Sequence, residues 1–371
     1  MSDSHLILPK LDHIPAHIVS AGDYEQAAQD YMPENIYAAI AGGSADELTL
    51  RENCRAFESI ELIPAILQEF SSASTATTLL DQCHALPFLL APIAHQQLVH
   101  PEGELATLAA ANALNIPMVC STLASTSLED VAAQAEVPLW FQLYFQETRD
   151  ATLSLVKRAE QSGYRAIVVT VDAPLSGLRN RAQRAGYVLP SAVPSANLVN
   201  KPAAPPISLA PDQSLILHGL MSEAPTWSDI EWLQQHTHLP IIVKGVLSPG
   251  DAVRCRQLGL AGVVVSNHGG RTLDGVPASI RALPAVRQAV GDDVMVLLDS
   301  GIRRGSDIFK ALALGADAVL IGRPYLYALA VAGALGVAHL LRTLKEELEI
   351  TMALTGCPTI DSIQANRLNL P

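Results

Sequence analysis

The chain has 371 residues, of which 49% are hydrophobic, 16% charged and 5% aromatic. This composition excludes a disordered, collagen-like or coiled-coil protein, and it allows a large buried core. The 37 acidic and 24 basic side chains give a formal net charge of −13. That charge argues against nucleic-acid and anionic-membrane partners, which bind basic surfaces. It does not exclude an anionic small molecule held by a local arginine cluster.

Cysteine usage and hydropathy predict a cytoplasmic protein without a membrane span. The cysteines are scattered, with no CxxC or CxxxC spacing; they are Cys54, Cys83, Cys120, Cys255 and Cys357. This pattern predicts reduced, buried thiols rather than disulfides or a metal site. The amino terminus lacks a basic stretch before a long apolar run, so we expect no secretory signal. The most apolar stretch, residues 325–341, is short for a membrane span of roughly 20 residues and predicts a buried helix.

Eight short apolar runs recur along the chain. They cover residues 87–91, 117–120, 139–145, 166–171, 240–243, 262–266, 294–298 and 318–321. Continuous apolar runs are typical of parallel strands that are covered on both faces. Segments with helical features separate several of them, over residues 102–113, 150–162, 248–259 and 304–314. The alternation predicts an α/β protein with a (β/α)8 TIM barrel. The alternative is a doubly wound open sheet, which an early GxGxxG motif would favour, and the sequence lacks that motif.

The remaining segments are interpreted as additions to a single domain over residues 1–371. Residues 1–86 are predicted to form N-terminal helices and a covering segment, followed by the barrel over 87–345 and a C-terminal segment over 346–371. Residues 175–226 form an insertion after the fourth strand that is rich in proline, serine and alanine; its prolines include Pro202, Pro205, Pro206 and Pro211. Such a long loop is typical of a lid, here at the barrel face where active sites lie.

Polar side chains follow six of the predicted strands. They include Gln142, Tyr144, Thr170, Asp172, Lys244, Ser266, Asn267, His268, Arg271, Asp299 and Arg323. Singly, Lys244 could cap a strand and His268 could be a hydrogen-bonded core histidine. Because unpaired buried polar groups are costly, polar groups at so many strand ends favour a functional site.

Two glycine-containing segments follow the last two strands. They are DSGIRRGSD at 299–307 and IGRP at 321–324. Glycines allow backbone N–H groups to approach an anion, and Arg303 and Arg323 add positive charge. Barrels frequently bind phosphate in these two loops, although ordinary tight turns are the alternative. We therefore predict a phosphate-bearing cofactor or substrate.

The segment SNHGGRTLDGVPA at 266–278 resembles the signature of the FMN-dependent 2-hydroxy-acid oxidases and dehydrogenases. This family includes glycolate, lactate and hydroxymandelate oxidases. The similarity extends through most of the chain, over residues 41–57, 91–106, 140–145, 170–174, 243–246 and 299–324. These motifs are long and occur in the family's order.

The resemblance implies FMN as cofactor and three catalytic roles. His268 would take a proton from the substrate's C2 centre, for which imidazole is suited because its pKa lies near working pH. Asp172 would pair with His268 and stabilise the imidazolium. Lys244 would lie against the N1–C2=O edge of the flavin, where negative charge accumulates on reduction. Carbanion and hydride mechanisms both use His268, so both remain open.

The resemblance also implies the binding residues. Arg179 and Arg271 would hold the substrate carboxylate, because guanidinium matches it bidentately. Tyr144 would hydrogen-bond the substrate at its hydroxyl or carboxylate and take part in catalysis. FMN would be bound by Pro92, Ile93, Ala94, Ser121, Gln142, Thr170, Lys244, Ser266, Asp299, Gly301, Arg303, Gly322 and Arg323.

Three positions depart from the family pattern. Ala39 stands where an N-terminal helix usually carries a tyrosine, and Tyr37, two residues earlier, is expected to point elsewhere. Leu123 stands where glycolate oxidases carry a tryptophan, and Leu178 replaces a second arginine beside Arg179. One interpretation is a pocket enlarged for a substrate bulkier than glycolate. The other is a weakened enzyme whose space is refilled by the lid or by solvent.

The implied function is oxidation of a lactate-like or bulkier (S)-2-hydroxy acid to the 2-oxo acid, with dioxygen as acceptor and hydrogen peroxide as product. A dehydrogenase that uses a quinone or another acceptor is the alternative. The insertion contains few bases and no long apolar run, which favours a soluble oxidase. Other possibilities are an FMN-dependent isomerase and a barrel whose activity is altered or lost because of Ala39. Because enzymes of this family are commonly tetramers or octamers, we expect a homotetramer or octamer.

Overall fold

The described part of the segment before the barrel contains three α-helices and three short strands. The computed structural model describes residues 6–199 and 209–371. The elements of this segment are α1 (Ala21–Ala27), α2 (Glu34–Ala41), α3 (Leu48–Glu58), β1 (Glu61–Leu62), β2 (Thr77–Leu79) and β3 (Gln82–His84). Strands β2 and β3 form an antiparallel hairpin. The single-domain boundaries stay a prediction, but three helices do precede the barrel as expected.

Eight parallel strands close into a barrel. They are β4 (Phe88–Leu90), β5 (Met118–Ser121), β6 (Leu139–Leu143), β7 (Ile167–Thr170), β8 (Ile241–Val246), β9 (Gly262–Val265), β10 (Met295–Leu298) and β11 (Ala318–Ile321). Strands β4 to β11 are neighbours in chain order, and β11 pairs with β4 to close the sheet. The predicted barrel is therefore confirmed and an open sheet is excluded. Each strand coincides with one of the eight apolar runs.

Each barrel strand is followed by a helix that covers the outside of the sheet. The helices are α4 (Glu104–Leu114), α5 (Leu128–Ala132), α6 (Arg149–Gln161), α8 (Trp227–Gln234), α9 (Pro249–Gln257), α10 (Ser279–Val290), α11 (Gly305–Ala313) and α12 (Arg323–Thr355), with the short α7 (Asn180–Arg184) preceding α8. The beginning of α9 follows ordinary capping chemistry. Ser248 accepts a hydrogen bond from the backbone N–H of Asp251, and Pro249 occupies the first turn of α9.

The barrel interior is filled by alternate side chains of the strands. This inner cluster comprises Leu79, Leu89, Ala91, Val119, Trp140, Ala166, Val168, Ile242, Val264, Leu297, Ala318 and Leu320. The intervening strand residues pack outward against the helices in a second, larger cluster. Because both faces of each strand are buried, the strands need continuous apolar sequence. Leu79 comes from the β2–β3 hairpin, so the hairpin contributes to the filling of the barrel.

Helix α12 contains the most apolar stretch of the sequence. Within the described residues it is the one helix long and apolar enough to cross a membrane, and 78% of its apolar window is buried inside the protein. The helix is kinked at Ala332 and Gly333, where Gly333 has φ of +55°. A Cβ there would lie 2.7 Å from Nε2 of His100. The predicted boundary at residue 345 falls within α12, which continues to Thr355.

Helix α3 is fixed to the loop that follows β9. The carboxylate of Asp274 accepts hydrogen bonds from the backbone N–H groups of Asp46, Leu48 and Thr49 at distances of 2.8–3.2 Å. Asn53 and Asn267 exchange two buried amide hydrogen bonds of 2.9 and 2.7 Å. These contacts position the N-terminal segment over the carboxyl ends of the barrel strands.

The insertion after β7 begins over the same end of the barrel. Its described part includes α7, and Ala182 of that helix is buried. The buried Asn197 donates to the carbonyls of Ser121 and Thr122 and accepts from the N–H of Leu128. Residues 200–208, which contain Lys201, Pro202, Pro205 and Pro206, lie outside the described residues. The lid assignment of 175–226 therefore stays a prediction.

The chain ends beside its N-terminal segment. The last strand, β12 (Leu368–Asn369), pairs antiparallel with β1, with Glu61 opposite Asn369 and Leu62 opposite Leu368. The two predicted terminal segments are thus joined by one small sheet.

Candidate active site

A cavity of about 460 Å³ opens at the carboxyl ends of the barrel strands. Its volume lies in the range of small-molecule sites, roughly 300–1,000 Å³. It is lined by all the predicted site residues except Asp172 and Ser266, which lie behind lining residues. The lining therefore brings together Pro92, Ile93, Ala94, Ser121, Gln142, Tyr144, Thr170, Arg179, Lys244, His268, Arg271, Asp299, Gly301, Arg303, Gly322 and Arg323. Their chemical roles stay predictions that the geometry below supports.

His268 and Asp172 form a hydrogen-bonded pair at the cavity. Nδ1 of His268 lies 2.9 Å from Oδ1 of Asp172, and the second carboxylate oxygen is buried without a partner in the described part of the chain. A carboxylate only accepts hydrogen bonds, so Nδ1 carries the proton and Nε2 is left as the basic atom. Burial lowers the pKa of His268, and Asp172 opposes this shift. The imidazole is therefore neutral at neutral pH and able to take a proton.

The backbone at His268 has an uncommon conformation. His268, Gly269 and Gly270 are consecutive left-handed residues with φ of +57°, +64° and +71°. A non-glycine residue in this region is uncommon and costs free energy, and such residues cluster at functional sites. The turn directs the backbone N–H of His268 to Oγ of Ser266 at 3.0 Å.

Lys244 is a buried cation beside the same pair. Its Nζ lies 2.9 Å from Oδ2 of Asp299 and donates to Oγ of Ser266 at 3.0 Å. Burial lowers the pKa of Lys244, but the charges of Asp299 and Asp172 raise it above its ordinary value. For Asp172, burial raises the pKa, but the hydrogen bond from His268 and the charge of Lys244 together lower it below its usual range. Both groups are therefore charged at neutral pH.

A bulge in β8 makes room for Asp172. The register between β8 and β9 shifts between Lys244 and Val246, at Gly245, which has φ of +111°. A Cβ at Gly245 would lie 2.4 Å from Cβ of Asp172, which is closer than packed atoms approach. Glycine is therefore required here by both its backbone conformation and its lack of a side chain.

Three arginines converge on the carboxyl end of α2. Arg179 donates to the carbonyls of Ala39 and Gly42, and Arg271 donates to those of Ala39 and Ile40, at 2.7–3.0 Å. Arg323 donates to the carbonyls of Ile40 and Gly42, at 2.8 and 3.0 Å respectively. The negative end of the helix dipole offsets the repulsion among the three cations.

These arginines retain capacity for an anion. Nε of Arg179 is buried without a hydrogen-bond partner within residues 6–199 and 209–371. Burial and the charge of Arg323 lower the pKa of Arg179 to about 10. Burial and the neighbouring Arg179 and Arg323 also lower the pKa of Arg271. A bound carboxylate would satisfy the free donor and relieve the repulsion.

The predicted phosphate site lies where two loops meet the beginning of α12. Gly322 precedes this helix and provides no side-chain cap. Pro324 has no N–H, and the N–H of Tyr325 donates to the carbonyl of Gly322 at 3.1 Å, so an anion here would be held mainly by the arginine side chains. Arg303 and Arg323 line the same cavity, and Nε of Arg303 lies 3.3 Å from Oε2 of Glu25. Helix α11 is different, because Asp307 and Glu347 already accept hydrogen bonds at its amino end.

The residues fit a flavin mononucleotide. Nε2 of Gln142 is buried and has no hydrogen-bond partner among the described residues, which leaves a donor for the edge of a polar ring. Oε1 of Gln142 is held by the hydroxyl of Ser121 and the N–H of Thr122, both at 3.2 Å, so the amide is oriented. Lys244 supplies a positive charge for the flavin ring, and Arg303 and Arg323 at the beginning of α12 supply positive charge for the phosphate.

The positions that depart from the family pattern lie at different distances from the cavity. Ala39 lines the cavity as expected, whereas Leu123, whose carbonyl accepts a hydrogen bond from the N–H of His95 at 3.0 Å, is not among the lining residues. Tyr37 packs against Tyr327, and Leu178 is 70% exposed. Sequence reasoning missed lining residues that lie farther from the strand ends; they include His95, Leu98, Ser176, Ala182 and Tyr187.

Comparisons with known proteins agree with this geometry. Residues 28–370 match the family model described as FMN-dependent dehydrogenase. An L-lactate oxidase of Alicycliphilus denitrificans is 47% identical, over 96% of this chain and 98% of the relative. A 4-hydroxymandelate oxidase of Amycolatopsis orientalis is 44% identical, over 95% of this chain and 98% of the relative. The crystal structure of mandelate oxidase with benzoyl-formic acid superimposes with a TM-score of 0.85 at 43% identity, covering 95% and 98% of the two chains.

The predicted family resemblance is thus confirmed over nearly the whole length of both this chain and its relatives. The chain belongs to the FMN-dependent dehydrogenase family.

Proposed function

We propose that this protein is an FMN-dependent oxidase that converts an (S)-2-hydroxy acid to the 2-oxo acid and passes the electrons to dioxygen, with hydrogen peroxide as product. The single observation that carries the proposal is the His268–Asp172 pair, 2.9 Å apart, at a cavity that also contains Arg179 and Arg271. A base beside two carboxylate-binding cations is what removal of a proton alpha to a carboxylate requires.

The chain's own residues bind the substrate and transfer its proton. Arg179 and Arg271 bind the substrate carboxylate and orient the C2 centre, and Tyr144 holds the substrate by a hydrogen bond. Nε2 of His268 takes a proton from the substrate, and Asp172 stabilises the resulting imidazolium. FMN, when bound, would supply the acceptor for two electrons and for the second of the two hydrogens that the substrate loses, and dioxygen with the proton from His268 would reoxidise it to give hydrogen peroxide. Lys244 supplies a fixed cation that favours the reduced form of the cofactor.

We propose a substrate at least as large as lactate. The small Ala39 on the cavity wall supports this size, and the names of the relatives support lactate and mandelate as test compounds. The panel should contain glycolate, L-lactate, (S)-mandelate and 2-hydroxyoctanoate. Glycolate as the preferred compound would contradict the proposed size of the substrate.

The test of the activity is anaerobic bleaching of the yellow holoenzyme. We expect a 2-hydroxy acid to bleach the flavin absorbance, and air to restore it with release of peroxide. Recovery with a quinone but not with dioxygen would instead support a dehydrogenase. The variant His268→Ala should retain FMN but resist bleaching, whereas the exposed His13→Ala should behave like the parent protein. Normal bleaching of His268→Ala would remove this residue from the mechanism.

We also propose that the protein acts in the cytoplasm as a homotetramer or octamer. The five cysteines are all unpaired, which supports a reducing compartment. The oligomeric state rests on the family resemblance, and light scattering of the purified holoenzyme measures it. A monomer at working concentration would contradict it.

A further inference from the structure

The phenol of Tyr187 lies at the cavity and has no hydrogen-bond partner in the described part of the chain. Tyr187 lines the cavity together with Arg179, Arg271 and Ala39, and its side chain is half-buried. Its hydroxyl makes no hydrogen bond within residues 6–199 and 209–371. No predicted strand ends near this residue, and it was not among the predicted site residues.

The short helix α7 presents both Arg179 and Tyr187 to the cavity. Arg179 immediately precedes α7, and the chain reverses after it at Gly186, which has φ of +65°. The N–H of Gly186 bonds to the carbonyl of Gln183 at 3.0 Å, and that of Tyr187 to the carbonyl of Ala182 at 2.9 Å. This pair of bonds is a Schellman motif, in which the residue after the glycine packs back on the helix. The motif fixes Tyr187 and Ala182 on the same side, and both line the cavity.

The surroundings of Tyr187 favour an anion and keep the phenol protonated. Burial raises its pKa, and the charges of Arg271 and Arg179 only partly oppose that shift. The hydroxyl is therefore a hydrogen-bond donor at neutral pH. The buried Nε of Arg179 is a second donor that has no partner among the described residues. The phenol and this Nε–H are therefore two donors without an acceptor, beside arginine side chains whose other N–H groups bind the end of α2.

Helix α2 supplies no hydrogen-bond donor to this part of the cavity. Ala39 presents only a methyl group to the cavity, and its carbonyl is already bound by Arg179 and Arg271. Helix α2 therefore positions the arginines but offers the substrate no donor at this position.

We propose that Tyr187 donates its phenolic O–H to the carboxylate of the bound 2-hydroxy acid, beside Arg179 and Arg271. The inference rests on the proposed function, because it assigns a residue of the insertion to the same substrate. It makes α7 and the turn after it the specificity element of the site, in place of the N-terminal helix. The proposed interaction is present in the substrate complex and in the product complex alike.

The test compares Tyr187→Phe with the parent holoenzyme. With L-lactate as substrate, we expect KM to rise about tenfold or more and kcat to change by less than about threefold, since the lost hydrogen bond is uniform binding to a charged group. The dissociation constant of pyruvate, measured from perturbation of the flavin spectrum, should rise by a similar factor. The affinity for FMN and the melting temperature should not change. Val188→Ala, which alters the neighbouring 74% exposed side chain, is the matched control and should leave all five quantities unchanged.

A second ligand separates hydrogen bonding from packing. The amide of pyruvate offers a neutral acceptor, which forms a weaker hydrogen bond than a carboxylate. Tyr187→Phe should therefore weaken the amide less than it weakens pyruvate, whereas a purely structural role would weaken both equally. An unchanged KM and pyruvate affinity in Tyr187→Phe, or equal losses for both ligands, would overturn the inference. Failure of every 2-hydroxy acid to bleach the parent protein would instead overturn the proposed function.

Discussion

Replacing Asp172 with asparagine tests the proposed base directly. The substitution keeps the shape of the side chain but removes the charge that stabilises the His268 imidazolium. The two groups are 2.9 Å apart, and their side chains are only 24% and 11% exposed, so solvent screens the interaction weakly. A hydrogen bond to a charged group contributes about 1.5–3 kcal/mol, and each ~1.4 kcal/mol of barrier is tenfold in rate. Flavin reduction by the 2-hydroxy acid should therefore slow by about 10- to 160-fold.

The same variant should shift the pH profile in a defined direction. Burial lowers the pKa of His268, and Asp172 partly offsets this shift. Loss of the carboxylate therefore lowers the pKa further, because the protonated imidazole loses its partner. The base must be neutral to act, so the rate rises as the pH passes through this pKa. In Asp172→Asn the acid limb of the reduction rate should move to lower pH, while the plateau falls.

Anaerobic stopped-flow measurement of flavin reduction between pH 4.5 and 8 would supply both quantities. FMN content must be measured for each variant, so that loss of cofactor is not counted as loss of rate. Asp81→Asn makes the same chemical change at an exposed position and is the matched control. An unchanged plateau, or an acid limb that moves to higher pH, would refute the assigned role of Asp172.

Three further variants test the bulge in β8, an arginine proposed to bind the carboxylate, and the cap of α3. Gly245→Ala should displace Asp172 and slow flavin reduction, because the added Cβ would lie 2.4 Å from Cβ of Asp172. Gly163→Ala is its control, with positive φ but nothing within 4 Å, and a rate loss shared by both would contradict displacement. Arg271→Lys should raise the KM for L-lactate at least about tenfold, because an ammonium cannot replace the bidentate fork, and steady-state assay measures it. Asp274→Ala should lower the free energy of unfolding by about 1–2 kcal/mol, as three backbone N–H groups at the beginning of α3 lose their acceptor. Burial raises the pKa of Asp274, but the hydrogen bonds from these N–H groups lower it overall. The contribution of Asp274 to the free energy of unfolding is therefore present above the carboxyl pKa of the unfolded chain, and it is lost as the pH falls through the pKa of the folded protein. Thermal melts of both proteins should therefore converge in acid, and a constant difference would contradict this account.

The fold was largely predictable from local sequence. Parallel strands covered on both faces require continuous apolar runs, and the eight predicted runs correspond to β4 through β11. Strand ends meet at one face of a barrel, so polar residues at those ends predicted the charged and hydrogen-bonding part of the cavity lining. The residues concerned include Gln142, Lys244 and His268. The family motifs added the pairing of Asp172 with His268, which the distance supports.

Other features depend on contacts between distant segments. The carboxyl end of α2 accepts from three arginines that lie 137–283 residues away in the chain, and no local pattern predicts such a contact. Asp274 belongs to the family motif at 266–278, yet its carboxylate caps α3, more than 200 residues earlier. Both contacts form because helix ends leave unsatisfied backbone groups that need partners from elsewhere.

The sequence by itself determined the barrel, which follows from the periodicity of its apolar runs. It also predicted the anion-binding loops from residue type at strand ends and the reacting groups from the family motifs. Only the tertiary structure decided the wall of the pocket. Ala39 and Tyr187 come from segments outside the strand repeat, and the expected Leu123 does not reach the cavity. The reason is physical, because a cavity wall is formed wherever separate segments pack together, and their packing is not encoded in any one of them. The charge of −13 likewise concealed a locally cationic cleft, which exists only once Arg179, Arg271 and Arg323 are folded onto the end of α2.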